Sequence, residues 1–268
     1  TWEAVEDIPD EELWSVRGQL RADLVDYVRD RAVGDRLARG ESTEYAETGG
    51  RAFDPDALSI GFARRVAAYK RLGLLIHESD RARQLLHGPM SIQVVLAGKA
   101  HPSDEEAKHL LKRVFSEKWG LNGPERVAFL EDYDMGMAAQ LVSGCDVWIN
   151  VPRPPLEASG TSGMKASLNG ALNLSVLDGW WSEAYDGTNG WAIEGDGSLD
   201  PDEQDARDGH ALYDILENEV APLFYERDRS GVPAGWVRRV KASLRTIGPR
   251  FCATRMMREY LENTYRIS

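Results

Sequence analysis

The amino-acid sequence predicts an α/β domain on an open, doubly wound and mainly parallel sheet. Three observations predict it. From residue 58 onward, short apolar runs alternate with segments of helical periodicity. Strand–helix–strand units close by right-handed crossovers, which leave their strands parallel. The run at 91–97 (SIQVVLA) is the clearest buried strand. Finally, the basic and glycine-rich segments follow strand candidates, and ligands of such sheets bind outside the carboxyl ends of the strands, near the switch point.

Residues 10–31 read as an amphipathic helix. Asp10 can cap it, Glu11 and Glu12 favour the positive end of its dipole, and Leu13, Val16, Leu20, Leu24 and Tyr27 recur at helical spacing. Residues 34–56 are polar and aperiodic, which predicts an exposed loop or linker. Strands are expected at 58–63, 91–97, 126–130, 147–150 and 172–177, with 91–97 central. Helices are expected between them near 71–87, 104–118, 134–144 and 163–169, and after them at 210–226, 234–247 and 252–265. The organisation is thus a leading helix and linker over 1–57 and an α/β domain over 58–268. No internal repeat or low-complexity segment interrupts it.

The 268 residues suit one large α/β domain with an appendage. Hydrophobic residues make up 42% and charged residues 28%, enough for a sizeable core. The net charge of −12, from 44 acidic and 32 basic side chains, repels polyanions. Nucleic acid and anionic membranes are therefore poor partners, and an anionic small ligand needs a local basic pocket. No apolar run approaches the roughly 18 residues of a membrane span. No basic stretch followed by an apolar one marks a signal peptide. Cys145 and Cys252 lie in apolar patterns without CxxC spacing, and read as reduced core thiols of a cytoplasmic protein. Five scattered histidines without HExxH predict no metal site.

Four segments can carry chemistry. GFARRVAAYKR, at 61–71, sets Arg64, Arg65, Lys70 and Arg71 within eight residues after a strand. Such a run is either a solvated basic helix start or an anion pocket, where arginine offers a planar fork and lysine a point charge. EASGTSGMKASLNG, at 157–170, carries small residues from Ala158 to Gly163 and starts a helix near Ser162. Its backbone N–H groups and dipole suit a phosphate, and glycine permits close approach. It is not a Walker A loop, because Ala166 follows Lys165. No GxGxxG follows the strands, so a nicotinamide site has no support. By spacing alone, Lys165 is either a surface lysine or a Schiff-base lysine, and the latter would be buried with a shifted pKa. GKAHP, at 98–102, offers Lys99 and His101 to a sugar or phosphate, or simply turns the chain before a helix capped by Asp104. DGWWSEAY, at 178–185, with Trp191, suits stacking on sugar rings or ordinary packing.

Together GFARRVAAYKR, AGKAHP, FLEDYD and above all EASGTSGMKASLNGALNLSVLDGWW resemble the α-glucan (glycogen, starch, maltodextrin) phosphorylase family, chiefly its shorter bacterial branch. The resemblance runs from Trp14 to Tyr265. It implies a Rossmann-like fold, the C-terminal domain of a GT-B pair. It implies phosphorolysis of terminal α-1,4-glucosidic bonds to glucose 1-phosphate, with retention and with pyridoxal phosphate. Residue by residue, it implies that Lys165 binds the cofactor and that Arg65 and Lys70 hold the substrate phosphate against it. It sets Arg64, Tyr133 and the backbone of Thr161 and Ser162 around the cofactor phosphate. It gives Glu157, Ala158, Ser159 and Gly160 the hydroxyls of the reacting glucose.

Ordinary glycosidases use two carboxylates. Here the resemblance implies that the cofactor's 5′-phosphate exchanges a proton with inorganic phosphate, unlike most pyridoxal chemistry. Arg64, Arg65, Lys70 and the helix start at Ser162 would offset the crowded negative charge. Two alternatives stand beside this reading. A nucleotide-sugar glycosyltransferase of the same fold also has an acidic residue before a glycine-rich helix start, but lacks a lysine in the place of Lys165. A non-catalytic glucan-binding module would keep the aromatic loop without needing Arg65, Lys70 and Lys165 together. The family's N-terminal domain, the partner across the cleft, has no counterpart in these residues. The chain is therefore expected to behave as a fragment: folded, exposing Tyr69, Tyr133 and the Trp180 loop, free of cofactor, and inactive.

Overall fold

A 3-10 turn at Trp2–Asp7 leads into α1 (Asp10–Ala38) in the computed structural model, which describes residues 2–120 and 126–265. Asp10 does not cap this helix. Pro9 takes the cap position, and the Asp10 carboxylate accepts a hydrogen bond from Lys241 Nζ instead (2.6 Å). The helix also runs past residue 31, and α2 (Thr43–Gly49) follows it where an exposed loop was expected. Ser42 Oγ caps α2 by accepting the Tyr45 N–H (3.3 Å). Buried Arg36 ties the two helices by donating to Tyr45 O (2.9 Å) and Thr48 Oγ1 (2.6 Å). The inner face here is Ala46, Gly49, Ala52 and Phe53, too few and mostly too small to show a hydrophobic period.

The sheet then builds by crossovers. In chain order it comprises β1 (Leu58–Ala63), α3 (Ser79–His87), β2 (Ile92–Ala97), α4 (Glu105–Gly120), β3 (Val127–Leu130), α5 (Met135–Gly144), β4 (Val147–Asn150), α6 (Thr161–Leu168), β5 (Leu172–Val176), α7 (Trp181–Ala184) and β6 (Gly190–Ile193). All pairings are parallel, in the order β3-β2-β1-β4-β5-β6. This is the doubly wound, Rossmann-like arrangement. Registers run Ile60↔Val94, Ile60↔Val147 and Ile149↔Leu174. The centre is β1 and β4, not the 91–97 strand. That strand lies one place from the edge, and β3 covers its outer side, so both positions demand the same apolar composition. The edge strand β6 escaped the sequence reading: it has four residues, opens on Gly190, and adjoins an aromatic loop.

The segment expected as one helix at 71–87 is broken. Arg71 adopts φ 49°, between 3-10 turns at Ala68–Lys70 and Leu72–Ile76. Its buried guanidinium donates to Val151 O and Pro152 O (both 2.9 Å) and pairs with Asp208 (2.7 Å). A regular helix would carry that group away from these partners. After the sheet come α8 (Pro201–Ile215), a π-turn at Leu216–Val220, α9 (Ala221–Tyr225), α10 (Ala234–Ile247) and α11 (Ala253–Asn263). Asp200 starts α8 by accepting the N–H groups of Asp202 (3.0 Å) and Glu203 (3.2 Å), ahead of the expected start at 210.

Both faces of the sheet are covered. Leu58, Ile60, Ile149 and Leu174 pack with Phe224 and Trp236 from the C-terminal helices. Val95 and Trp148 pack on the other face with Leu24, Val28 and Leu141 from α1 and α5. At the amino ends of the central strands, Asp146 accepts from Arg21 Nη1 (2.8 Å) and from the Ser59 N–H (3.0 Å). Arg17 joins them, and burial lowers its pKa. Cys145 is buried and free, as expected, whereas Cys252 is free but half-exposed at the start of α11 rather than in the core. Among the described residues, no helix is long and apolar enough to cross a membrane and no cluster of His, Cys, Asp and Glu could hold a metal ion.

Candidate active site at the carboxyl edge of the sheet

The loops leaving β1, β4 and β5 are stitched together where the central strands end. Arg64 N–H donates to Ala97 O (3.1 Å) and Val66 N–H to Lys99 O (3.0 Å), so the β1 loop extends the sheet for two further residues. The loop after β4 joins the β1 loop through the Arg153 N–H, which donates to Tyr69 O (2.7 Å). It joins the β5 loop twice. The Glu157 N–H donates to Asp178 Oδ2 (2.9 Å), and the Trp180 N–H donates to Ser159 O (2.9 Å). Gly179, at φ 55°, permits this crossing: a side chain there would sit 2.5 Å from Ser159 O and 2.8 Å from Glu157 O.

Three of the site residues named from the sequence converge in one ionic cluster. Glu157 Oε2 accepts from Lys70 Nζ (2.6 Å) and from Arg64 Nη2 (3.1 Å). The three side chains are only 9%, 10% and 9% exposed for Arg64, Lys70 and Glu157. Burial lowers the Arg64 pKa, and Glu157 opposes that shift. Arg64 Nη1 is buried with no hydrogen-bond partner. Lys70 Nζ also lies 4.7 Å from the centre of the Tyr69 ring. Arg65 is exposed and, among the described residues, makes no hydrogen bond or ion pair. Tyr133 is half-buried. Burial raises its pKa and nearby Arg64 opposes the rise, so the two side chains sense each other. One carboxylate thus faces two cations, with a guanidinium N–H left over, in a protein of net charge −12. Chemically this is a cradle for a multiply charged anion.

The head of α6 lies one loop further on. Gly160 adopts φ 97° and caps the helix without a side chain. Ser162 is half-buried and its Oγ accepts from Trp148 Nε1 (3.3 Å), while Thr161 and Ala158 are exposed and Ser159 is half-buried. Asn173 anchors α6 to β5 by donating to Gly163 O (3.2 Å) and Ser167 Oγ (2.7 Å). Lys165 is exposed, contrary to the burial expected of a Schiff-base lysine. Gly163, Ala166 and Ser167 form the buried face of α6, and helical geometry puts Lys165 on the opposite side.

Two other segments resolve to structural roles. Trp180 and Trp181 are 3% and 0% exposed, packed with Ile247 and Phe251, and Trp181 Nε1 donates to Trp191 O (3.1 Å). The aromatic loop is therefore core, not an exposed sugar platform. Tyr69 and Tyr133 are half-buried rather than bared. At GKAHP, His101 Nδ1 accepts the Ser103 N–H (3.1 Å) and Asp104 Oδ1 accepts the Ala107 N–H (2.9 Å), which makes the segment a turn and a helix cap. Asp178, the clamp on Glu157, was not singled out from sequence. Its signal was the Asp-Gly pair directly after a strand, a turn signature. A cavity of about 710 Å³ opens beside the site, lined in part by Tyr69, Arg71, Arg153 and Leu156.

Residues 42–186 match the family model described as carbohydrate phosphorylase. Glycogen phosphorylase of Mycobacterium tuberculosis (strain ATCC 25618 / H37Rv) is 48% identical over 270 residues, covering 98% of this chain and 31% of the relative. Glycogen phosphorylase of Aquifex aeolicus is 44% identical over 265 residues, covering 98% of this chain and 38% of the relative. Maltodextrin phosphorylase of Thermococcus litoralis is 43% identical over 268 residues, again with 98% and 31% covered. The chain spans about a third of the length of these relatives. The matched segment is more than half of the chain and contains Arg64, Lys70 and Glu157; with these relatives it shows that the chain belongs to the carbohydrate phosphorylase family.

Proposed function

We propose that these residues form one wall of the active site of a cytoplasmic glucan phosphorylase, which transfers a terminal α-1,4-linked glucose to inorganic phosphate with retention. The observation that carries this is the buried cluster of Arg64, Lys70 and Glu157 with its unpartnered Arg64 Nη1. Arg65 and Lys70 bind the substrate phosphate and offset the charge that develops during transfer. Glu157, Ala158, Ser159 and Gly160 receive the hydroxyls of the reacting glucose. The opposite wall is proposed to come from the part of the relatives' length that this chain does not span.

The residues fit pyridoxal phosphate. Arg64 Nη1 lacks a partner, Gly160 leaves the first turn of α6 without a side-chain cap, and Lys165 presents a free amine on that same helix. Lys165 would hold the ring covalently, with the phosphate at Arg64, Tyr133 and the N–H groups of Thr161 and Ser162. When bound, the cofactor supplies a second phosphate, able to exchange a proton with the substrate phosphate. This chain's residues keep two phosphates adjacent: Arg64, Arg65 and Lys70 supply positive charge, and Tyr133 a neutral phenol whose pKa burial raises.

Reductive trapping tests this. Pyridoxal phosphate added to the chain and fixed with borohydride should appear on the peptide carrying Lys165, and the Lys165→Ala chain should lose that label. Label spread evenly over surface lysines would contradict the assignment.

A further inference from the structure

Glu157 is bound in two unlike ways. Its backbone is pinned, because its N–H is held by Asp178 and its carbonyl lies against Gly179. Among the described residues, its carboxylate is held only by two cations, Lys70 Nζ and Arg64 Nη2. Rotation of the side chain alone would therefore release both cations without moving the loop.

A phosphate is the better occupant of this cradle. It carries more charge than one carboxylate and more acceptor oxygens, so in the chain without cofactor it can also satisfy Arg64 Nη1. A carboxylate displaced from its cations within a largely buried pocket is left short of partners, which costs free energy until new donors arrive. Sugar hydroxyls are such donors.

We propose that Glu157 is a built-in stand-in for phosphate. In the resting chain its carboxylate occupies the cationic cradle. An arriving phosphate displaces it, and the freed carboxylate then takes hydrogen bonds from the sugar. One side chain thus makes phosphate binding favour sugar binding, and the reverse. The inference rests on the reading of the cluster as a phosphate site.

Calorimetric titration of the chain with inorganic phosphate tests it, using wild type, Glu157→Gln, Glu157→Ala and Arg64→Ala. Removing the competing carboxylate should tighten phosphate binding by about 10-fold or more, the worth of one charge-assisted hydrogen bond. Both Glu157 variants should also melt lower than wild type without phosphate and gain more from it, because two buried cations await an anion. Arg64→Ala should weaken binding. If the Glu157 variants bind phosphate no tighter than wild type while Arg64→Ala still weakens it, the stand-in role fails and the phosphate site survives. If neither wild type nor the Glu157 variants bind phosphate, or if Arg64→Ala changes nothing, both fail together.

Discussion

The two ends of the central strands each bury a cluster of arginine and carboxylate, and the clusters differ in how completely they are satisfied. At the amino ends, Asp146 is held by Arg21 and the Ser59 N–H. Arg17 and Arg21 donate further to the carbonyls of Cys145 (2.6 Å), Asn169 (2.9 Å) and Pro55 (2.6 Å). Among the described residues, Arg17 Nε is a buried donor of that cluster without a partner. At the carboxyl ends, one carboxylate serves Arg64 and Lys70, Arg64 Nη1 is unpartnered, and Arg65 stands free in solvent. Burial lowers the arginine pKa at both ends. Similar ingredients therefore give a lock at one end and a cationic cradle at the other. Each leaves one buried guanidinium N–H unpartnered; the difference lies in the backbone carbonyls that take up the other donors of Arg17 and Arg21, and in Arg65, exposed at the opposite end, which composition does not reveal.

The largest expected effect breaks the lock. Asp146→Ala strands two buried arginines and should lose about 3–5 kcal/mol of stability in urea denaturation. Glu157→Gln keeps an acceptor for Lys70 and Arg64 and should lose much less. Equal losses would erase the distinction between the ends. Next in size, Arg65→Ala should lower glucose 1-phosphate formation by the complete enzyme on the order of 10²-fold. Because Arg65 is exposed and has no partner among the described residues, the same change should shift the chain's stability by no more than about 0.5 kcal/mol. A large stability loss would show that Arg65 belongs to the scaffold.

The smallest effect is a pH dependence at the lock. Burial pushes the Cys145 thiol pKa up in the folded chain. The unfolded chain ionises this thiol near about pH 8.5 while the folded chain keeps its proton. The folded state thus binds more protons above that pH, and stability should fall as pH rises. Cys145→Ser should remove that component of the alkaline loss, and half-exposed Cys252 should be the thiol that a disulfide reagent labels first.

The sheet was legible where burial forced a simple pattern. Leu58–Ala63 and Val147–Asn150 were bounded correctly because every residue in them is buried. The second helix of the leading segment was not legible, since Arg36 and a few small residues hold it in place of an apolar stripe. The basic residues of the β1 loop and the acid of the β4 loop stood out as segments. That Arg64, Lys70 and Glu157 meet on one oxygen depends on β1 and β4 becoming neighbours, which brings together Lys70 and Glu157, 87 residues apart in sequence. Trp180 and Trp181 suit a sugar platform and ordinary packing alike, because an aromatic loop reads the same whether it faces solvent or core, and Ile247 and Phe251, which cover it, are remote in sequence.

The most direct test of the central claim is an amide chemical-shift map of the chain during titration with inorganic phosphate. Arg64, Arg65, Lys70, Glu157, Thr161 and Ser162 should shift together and saturate, while Arg17, Arg21 and Asp146 stay still. Shifts centred on the amino ends of the strands, or scattered over the surface without saturating, would contradict it.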